Sequence, residues 1–232
     1  AYEISTRDWS SDVCSSDLEL RPLAVARAAG RLTARDLGLV INTADPYSVE
    51  VGEYYARRRG LAPEQVLRVE LPVRGSLSPE EFEALAARIG QHFGPTTQAL
   101  ALAWTTPYAV GCNSITGALA LGYDAALCAH SCSPSTPSRY FNTSTARPFT
   151  DLGLRPSMLL AAGTAEAAKA LIDRGVAADG LLRTRGRPDA TALFLLTTDK
   201  ARNVRQVVYP PEGRRSEEHT SELQSRVDIS YA

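Results

Sequence analysis

Hydrophobic and polar positions along this chain fall into two alternating rhythms, and the alternation predicts the fold. Leu37-Gly38-Leu39-Val40-Ile41 is a nearly continuous apolar run of the kind that forms a strand buried on both faces. A polar turn, 42–48, leads from it into a helix. Either Asp45, standing before Pro46, or Ser48 suits the cap. That helix is expected to turn Val49, Tyr54 and Tyr55 to the sheet and to end near Gly60. Pro63 to Gln65 turn the chain, and 66–71 predicts a second strand. Ser78 followed by Glu81 is a capping-box pattern, and Phe82, Leu85, Ala86 and Ile89 then recur at helical spacing up to Gly94-Pro95. The next apolar run, 99–104, predicts the central strand.

Beyond it the pattern loosens and then resumes. Residues 131–155 are rich in Ser, Thr and Pro and read as a long excursion with little regular structure. A fourth strand is expected at 157–161. A helix capped by Thr164 follows, with Ala168, Leu171, Ile172 and Val176 on one face. Residues 180–189 read as a basic loop, 190–196 as a fifth strand, and 199–207 as the start of another helix. Residues 19–36, rich in Ala and Arg, suit a short helix or an irregular lead-in. The order β-α-β-α-β argues an α/β domain with three layers and a mainly parallel sheet, in a Rossmann-like or caspase/gingipain-like order, incomplete at its C-terminus.

The two ends do not continue this pattern. Residues 1–18 and 215–232 read as translated sequencing-adapter DNA. Asp12-Val13-Cys14-Ser15-Ser16-Asp17 is the translation of GAC GTG TGC TCT TCC GAT. The reverse complement of that adapter translates as Arg215-Ser216-Glu217-Glu218-His219-Thr220. Ile4-Ser5-Thr6-Arg7 and Arg226-Val227-Asp228 can be written as complementary strands of one index. Both segments are therefore set aside from the fold and expected to be disordered, leaving 19–214 as one α/β domain, itself expected to be part of a longer protein.

Removing the ends changes the charge. Of 25 basic and 26 acidic residues, the flanks hold three and eight, so 22 and 18 remain, a net charge near +4. The charges are well mixed, with no basic run beyond Arg57-Arg58-Arg59, and nucleic acid is not implied as a partner. No apolar run approaches the roughly twenty residues of a membrane-spanning helix.

Candidate chemistry is sparse. In an open parallel sheet, ligands bind beyond the carboxyl ends of the strands. Those ends offer Asn42, Asp45, Thr105, Thr106, Tyr108 and, further on, Thr197, Thr198 and Asp199. None is diagnostic: Asp45 reads first as a helix cap, and Thr105 and Thr106 as turn residues. In the stretch 98–124, QALALAWTTPYAVGCNSITGALALGYD, the catalytic candidates are Cys112, Ser114 and Asp124. A reactive Cys112 would need a base or a helix N-terminus beside it, and no paired His is evident. Ser114 also suits an N-cap. Cys128, His130 and Cys132 are the metal candidates. Their spacing permits ligation with one further ligand such as His92, a small-loop disulfide, or free thiols. There is no Gly-x-Gly-x-x-Gly and no Walker loop, so no cofactor is expected.

Five stretches carry a resemblance: INTADPYSVEVGEYYARRRGL, WTTPYAVGCNSITGALALGYD, PSRYFNTSTARPFTDLGLRPSMLLA, EAAKALIDRGVAADG and FLLTTDKARNVR. In order and content they resemble an uncharacterised bacterial family from genomes that carry exosortase, the proposed PEP-CTERM protein-sorting transpeptidase. The resemblance spans nearly all of 32–211. It implies an exported or periplasmic protein, usually made with a signal peptide, whose partners are envelope or exported proteins. It carries over no catalytic residue. A looser architectural analogy is to caspase-like and gingipain-like peptidases, whose His and Cys would then lie further along a longer chain. The sequence thus leads to two expectations, a non-catalytic accessory or binding protein of the envelope and a hydrolase whose nucleophile lies downstream.

Overall fold

The computed structural model describes residues 30–128, 138–140 and 143–180, together with the strands Ala190–Leu196 and Leu223–Ile229. The main body runs β1 (Leu37–Asn42), α1 (Pro46–Arg59), β2 (Val66–Val69), β3 (Ser76–Leu77), α2 (Pro79–His92), β4 (Ala99–Leu102), β5 (Ala109–Val110), β6 (Asn113–Ser114), α3 (Ile115–Leu121), α4 (Pro148–Leu152), β7 (Ser157–Leu159) and α5 (Ala165–Ala178). Four strands form a parallel sheet in the order β2-β1-β4-β7, with Leu39 opposite both Val66 and Ala101, and Leu100 opposite Ser157. This is the three-layer, mainly parallel α/β architecture that the apolar runs predict.

Alternation along the strands builds the layers. Val40, Leu100, Leu102 and Trp104 point to one face, where Phe82, Leu85 and Ile89 of α2 and Ile115 and Ala118 of α3 cover them. Leu39, Ile41, Ala101 and Ala103 point to the other, under Val51 and Tyr55 of α1 and Ala168 and Ile172 of α5. β1 is buried on both faces, as a central parallel strand must be. The α1 face admits a close helix: a Cβ on Gly52 would stand 2.6 Å from Ile41 Cγ1 and 3.1 Å from Ala103 Cβ. Gly and Ala at these facing positions set the spacing of that layer.

The caps follow the sequence closely. Asp45 Oδ1 accepts from the Tyr47 amide at 3.0 Å and begins α1, while Gly60 ends it in the left-handed region at φ 62°. The cap is thus Asp45 and not Ser48. Ser78 and Glu81 form the reciprocal box at the start of α2. Helix faces are shifted slightly from expectation. On α1 the buried set is Ser48, Val51, Gly52 and Tyr55, with Val49 and Tyr54 only half-buried at its margin. On α5, Leu171 is 46% exposed and the buried stripe is Ala168 and Ile172.

Two features were not foreseen. A second, small sheet, β3-β5-β6, sits beyond the end of β4 and consists of two-residue strands, too short to register as a period. Within the stretch expected to be irregular, α4 forms at 148–152, and Gln98 holds its start. Gln98 is fully buried, and its Oε1 accepts from the Phe149 and Thr150 amides, both at 3.1 Å. Nearby, buried Arg155 lies 3.6 Å over the Phe149 ring and donates to the carbonyls of Thr97, Phe93 and Gly94 just past α2. Burial away from water pulls its pKa down from the usual guanidinium value.

The remaining strands, β8 (Ala190–Leu196) and β9 (Leu223–Ile229), pair with each other antiparallel, with Phe194 opposite Ser225. β8 stands at the residues expected for the fifth strand. β9 lies in the tail expected to be disordered. Its apolar residues Leu223, Val227 and Ile229 stand at even spacing, which suits a strand. The expected loop 180–189 from 181 onward, the helix start at 199–207, and residues 1–29 lie outside the described residues.

Candidate functional site

By sequence rank the sheet order is second, first, third, fourth, so the chain reverses direction across the sheet between β1 and β4. The crevice outside the carboxyl ends of those two strands is where ligands bind in such sheets. Here it lies between the turn 43–45 after β1 and the turn 104–108 after β4.

Most polar groups at this edge are already committed. Asn42 is fully buried, and its Nδ2 donates to Leu71 O at 3.1 Å. Its Oδ1 accepts from the amides of Leu71 at 2.9 Å and Ala44 at 3.2 Å. Its own amide donates to Ser48 Oγ at 2.8 Å. One side chain thus ties the end of β1 to the backbone leaving β2, and buried polar groups are stable only when paired in this way. Thr43 donates to Val69 O through both amide and hydroxyl, at 2.7 and 3.0 Å. Tyr47 bridges the first and last strands of this edge: its hydroxyl donates to Leu160 O and accepts from the Ala162 amide, both at 2.9 Å. Burial raises the Tyr47 pKa above that of an ordinary phenol. Trp104, fully buried, donates through Nε1 to Pro107 O at 2.8 Å and folds the turn after β4 back on itself, with a cis Thr106-Pro107 peptide.

What remains uncommitted is small. Thr105 and Thr106 are half-buried at the crevice, and their hydroxyls have no partner among the described residues. Tyr108 is 57% exposed. Thr197, Thr198 and Asp199 lie outside the described residues. An open groove of 320 Å³ lies apart from this edge, lined by Ala56 and Arg57 of α1 and by Pro63, Val66 and Arg68, where Arg68 meets Glu53 at 3.3 Å.

The catalytic candidates of the second cluster come together, but as structure. Gly111 at φ 54° and Cys112 make the two-residue turn between β5 and β6, where positive φ suits the twist of a tight hairpin. Cys112 is bonded to Cys128 across 16 residues, with Cα atoms 5.4 Å apart. This corrects three readings at once. Cys112 is not a thiolate nucleophile, Cys128 is not a free metal-ligating thiolate, and Cys128 closes its loop with Cys112 and not with Cys132. Ser114 Oγ accepts from the Gly117 amide at 3.1 Å as the N-cap of α3, and among the described residues no base is hydrogen-bonded to it. Asp124 Oδ1 accepts from the Ala126 amide at 2.8 Å, and its carbonyl accepts from Asn113 Nδ2 at 2.9 Å. His130 and Cys132 lie outside the described residues. His92 is exposed at the end of α2, edge-on to Phe93. Among the described residues no group of three or more His, Cys, Asp or Glu is placed to hold a metal ion, and no helix is long and apolar enough to cross a membrane.

A third polar group, missed in the sequence, joins α1 to α5. Asp173 accepts from Tyr54 Oη at 2.9 and 2.8 Å and from Arg58 Nε at 2.6 Å, while Lys169 pairs with Glu50. The Tyr54 hydroxyl and the Arg58 guanidinium hold the Asp173 carboxyl below the usual carboxylate range. These residues are more than a hundred positions apart or on separate helices, and only helical spacing on each element hinted at a shared face.

Comparison of the chain with protein-family models, with curated proteins and with solved structures found no match.

Proposed function

We propose that this domain is a non-catalytic accessory or binding module of the bacterial envelope, linked to exosortase-dependent sorting. The observation that carries the reading is the use made of the polar residues. Asn42, Asp45, Ser114 and Asp124 all hold backbone groups of the fold, and Cys112 is tied up in a disulfide. A nucleophile and base would need to face each other with free atoms, and these residues face their own backbone. A disulfide also suits an exported protein, since thiols are kept reduced in the cytosol. The two threonines at the strand-order reversal, Thr105 and Thr106, whose hydroxyls have no partner among the described residues, are where a ligand or peptide would meet the module.

The reading is tested in an exosortase-bearing host that carries the genomic gene, by fractionation on non-reducing gels and by gene deletion. The expected result is an oxidised protein in the envelope fraction and reduced surface display of PEP-CTERM proteins on deletion. A reduced cytoplasmic protein, or unchanged display, overturns it.

The hydrolase reading keeps one observation in its favour, the parallel sheet with its strand order reversed between β1 and β4, which places an open crevice at the carboxyl edge. Turnover of a peptide library by the genomic full-length protein, abolished by replacing a downstream Cys, would establish it.

A further inference from the structure

The segment closed by the disulfide is held unevenly. Its first half is anchored in the core: Ile115 and Ala118 of α3 are 0% and 2% exposed, Ser114 caps the helix, and Ser157 Oγ donates to Thr116 O at 3.3 Å. Its second half, 122–128, has no buried residue. Tyr123 is half-buried beside Gly111 and packs on the margin of the core under α2 and α3, Gly122 N donates to Ala118 O at 2.8 Å, and Asn113 Nδ2 donates to Asp124 O at 2.9 Å. Beside these contacts, the Cys112–Cys128 bond ties this half to the turn between β5 and β6, and both cysteines are exposed. The turn Ala125–Cys128 lies against β6, the outer strand of the small sheet among the described residues.

We propose that this disulfide is a redox latch, which a dithiol reductant opens to release 122–128 from β6 while the parallel-sheet body stays folded. A thiolate of the reductant attacks the sulfur of one of the two exposed cysteines and displaces the other cysteine as a thiolate, giving a mixed disulfide. The reductant's second thiol then resolves it. Two electrons pass to the protein, the reductant leaves as a disulfide, and Cys112 and Cys128 end as two thiols. Exposure of both cysteines puts the bond at the surface, with Asn113 Nδ2 beside the two sulfurs at 3.5 and 3.8 Å. The body can survive because its two cores contain neither cysteine, and its sheet edge is stitched by Asn42 and Tyr47. The inference rests on this geometry alone and stands whether or not the proposed function does.

The test is limited proteolysis of the full chain with chymotrypsin, with and without dithiothreitol, mapping cuts by mass. Leu121, Tyr123 and Leu127 supply cleavage sites in the segment. Since cleavage follows the population of the open form, reduction is expected to speed cuts after these residues by about tenfold or more. Cuts within 37–110 and 157–178 should stay unchanged, and reoxidation should restore protection. A C112S/C128S chain is expected to show the fast cuts without reductant and no further gain at these sites with it, which separates this bond from the other cysteines. Unchanged cutting at 121–127 on reduction overturns the proposal. So do new cuts spread through the strands and helices of the body, or a double variant that does not fold, because the bond would then be holding the whole domain.

Discussion

Replacing Asn42 by alanine tests whether the sheet edge is architecture or chemistry. The side chain satisfies the amide and the carbonyl of Leu71, a residue only 7% exposed, and the amide of Ala44, which is exposed. Water can replace the bond to Ala44. It has little access to Leu71, so the variant leaves one buried donor and one buried acceptor unpaired. At about 1–3 kcal/mol for each, the expected loss is roughly 2–6 kcal/mol. With a urea slope of about 2 kcal/mol per molar, the midpoint followed by far-UV circular dichroism should fall by about 1–3 M. Thr105→Ala, at the same edge but without a partner for its hydroxyl, should stay within about 0.5 kcal/mol of the parent. A shift below about 0.5 kcal/mol for Asn42→Ala would refute the reasoning. It would mean that Leu71 finds other partners and that Asn42 is free for a ligand.

Two further perturbations probe the helix layers. Gly52→Ala should destabilise by about 1–3 kcal/mol, because the new methyl meets Ile41 and Ala103 in a packed layer. Gly90→Ala, in the interior of α2 with open space around it, should stabilise by about 0.5–1 kcal/mol. Chemical denaturation of the pair checks both signs, and a Gly52→Ala chain as stable as the parent would show that α1 stands further from the sheet. The third concerns pH. Asp173 has a folded pKa below its unfolded value of about 3.9, so its contribution is present above that value and is lost as pH falls through the folded pKa. Asp173→Asn should therefore be less stable than the parent at neutral pH and should lack this part of the acid limb. Urea midpoints measured down the acid range read this directly, and parallel curves for the two chains would exclude the coupling.

The sequence by itself determined the layers. A run such as Leu37–Ile41 buries itself on both faces, and Asp45-Pro46, Ser78-x-x-Glu81 and Gly60 carry their capping chemistry in neighbouring residues, so strands, helices and parallel order were legible locally. The small sheet was not, because two-residue strands have no period, and the stripe on α5 moved because Leu171 and Ile172 are equally apolar and only packing chooses between them. The candidate site depended still more on tertiary structure. Whether Asn42, Ser114 and Asp124 have free atoms is decided by backbone groups that folding brings beside them, Leu71 lying 29 residues from Asn42. Cysteine spacing allowed several pairings, and only the hairpin turn at Gly111 and the end of the Ala125–Cys128 turn bring Cys112 and Cys128 into bonding distance. Propensity and periodicity act between neighbours in sequence, whereas commitment of a polar side chain is a property of neighbours in space.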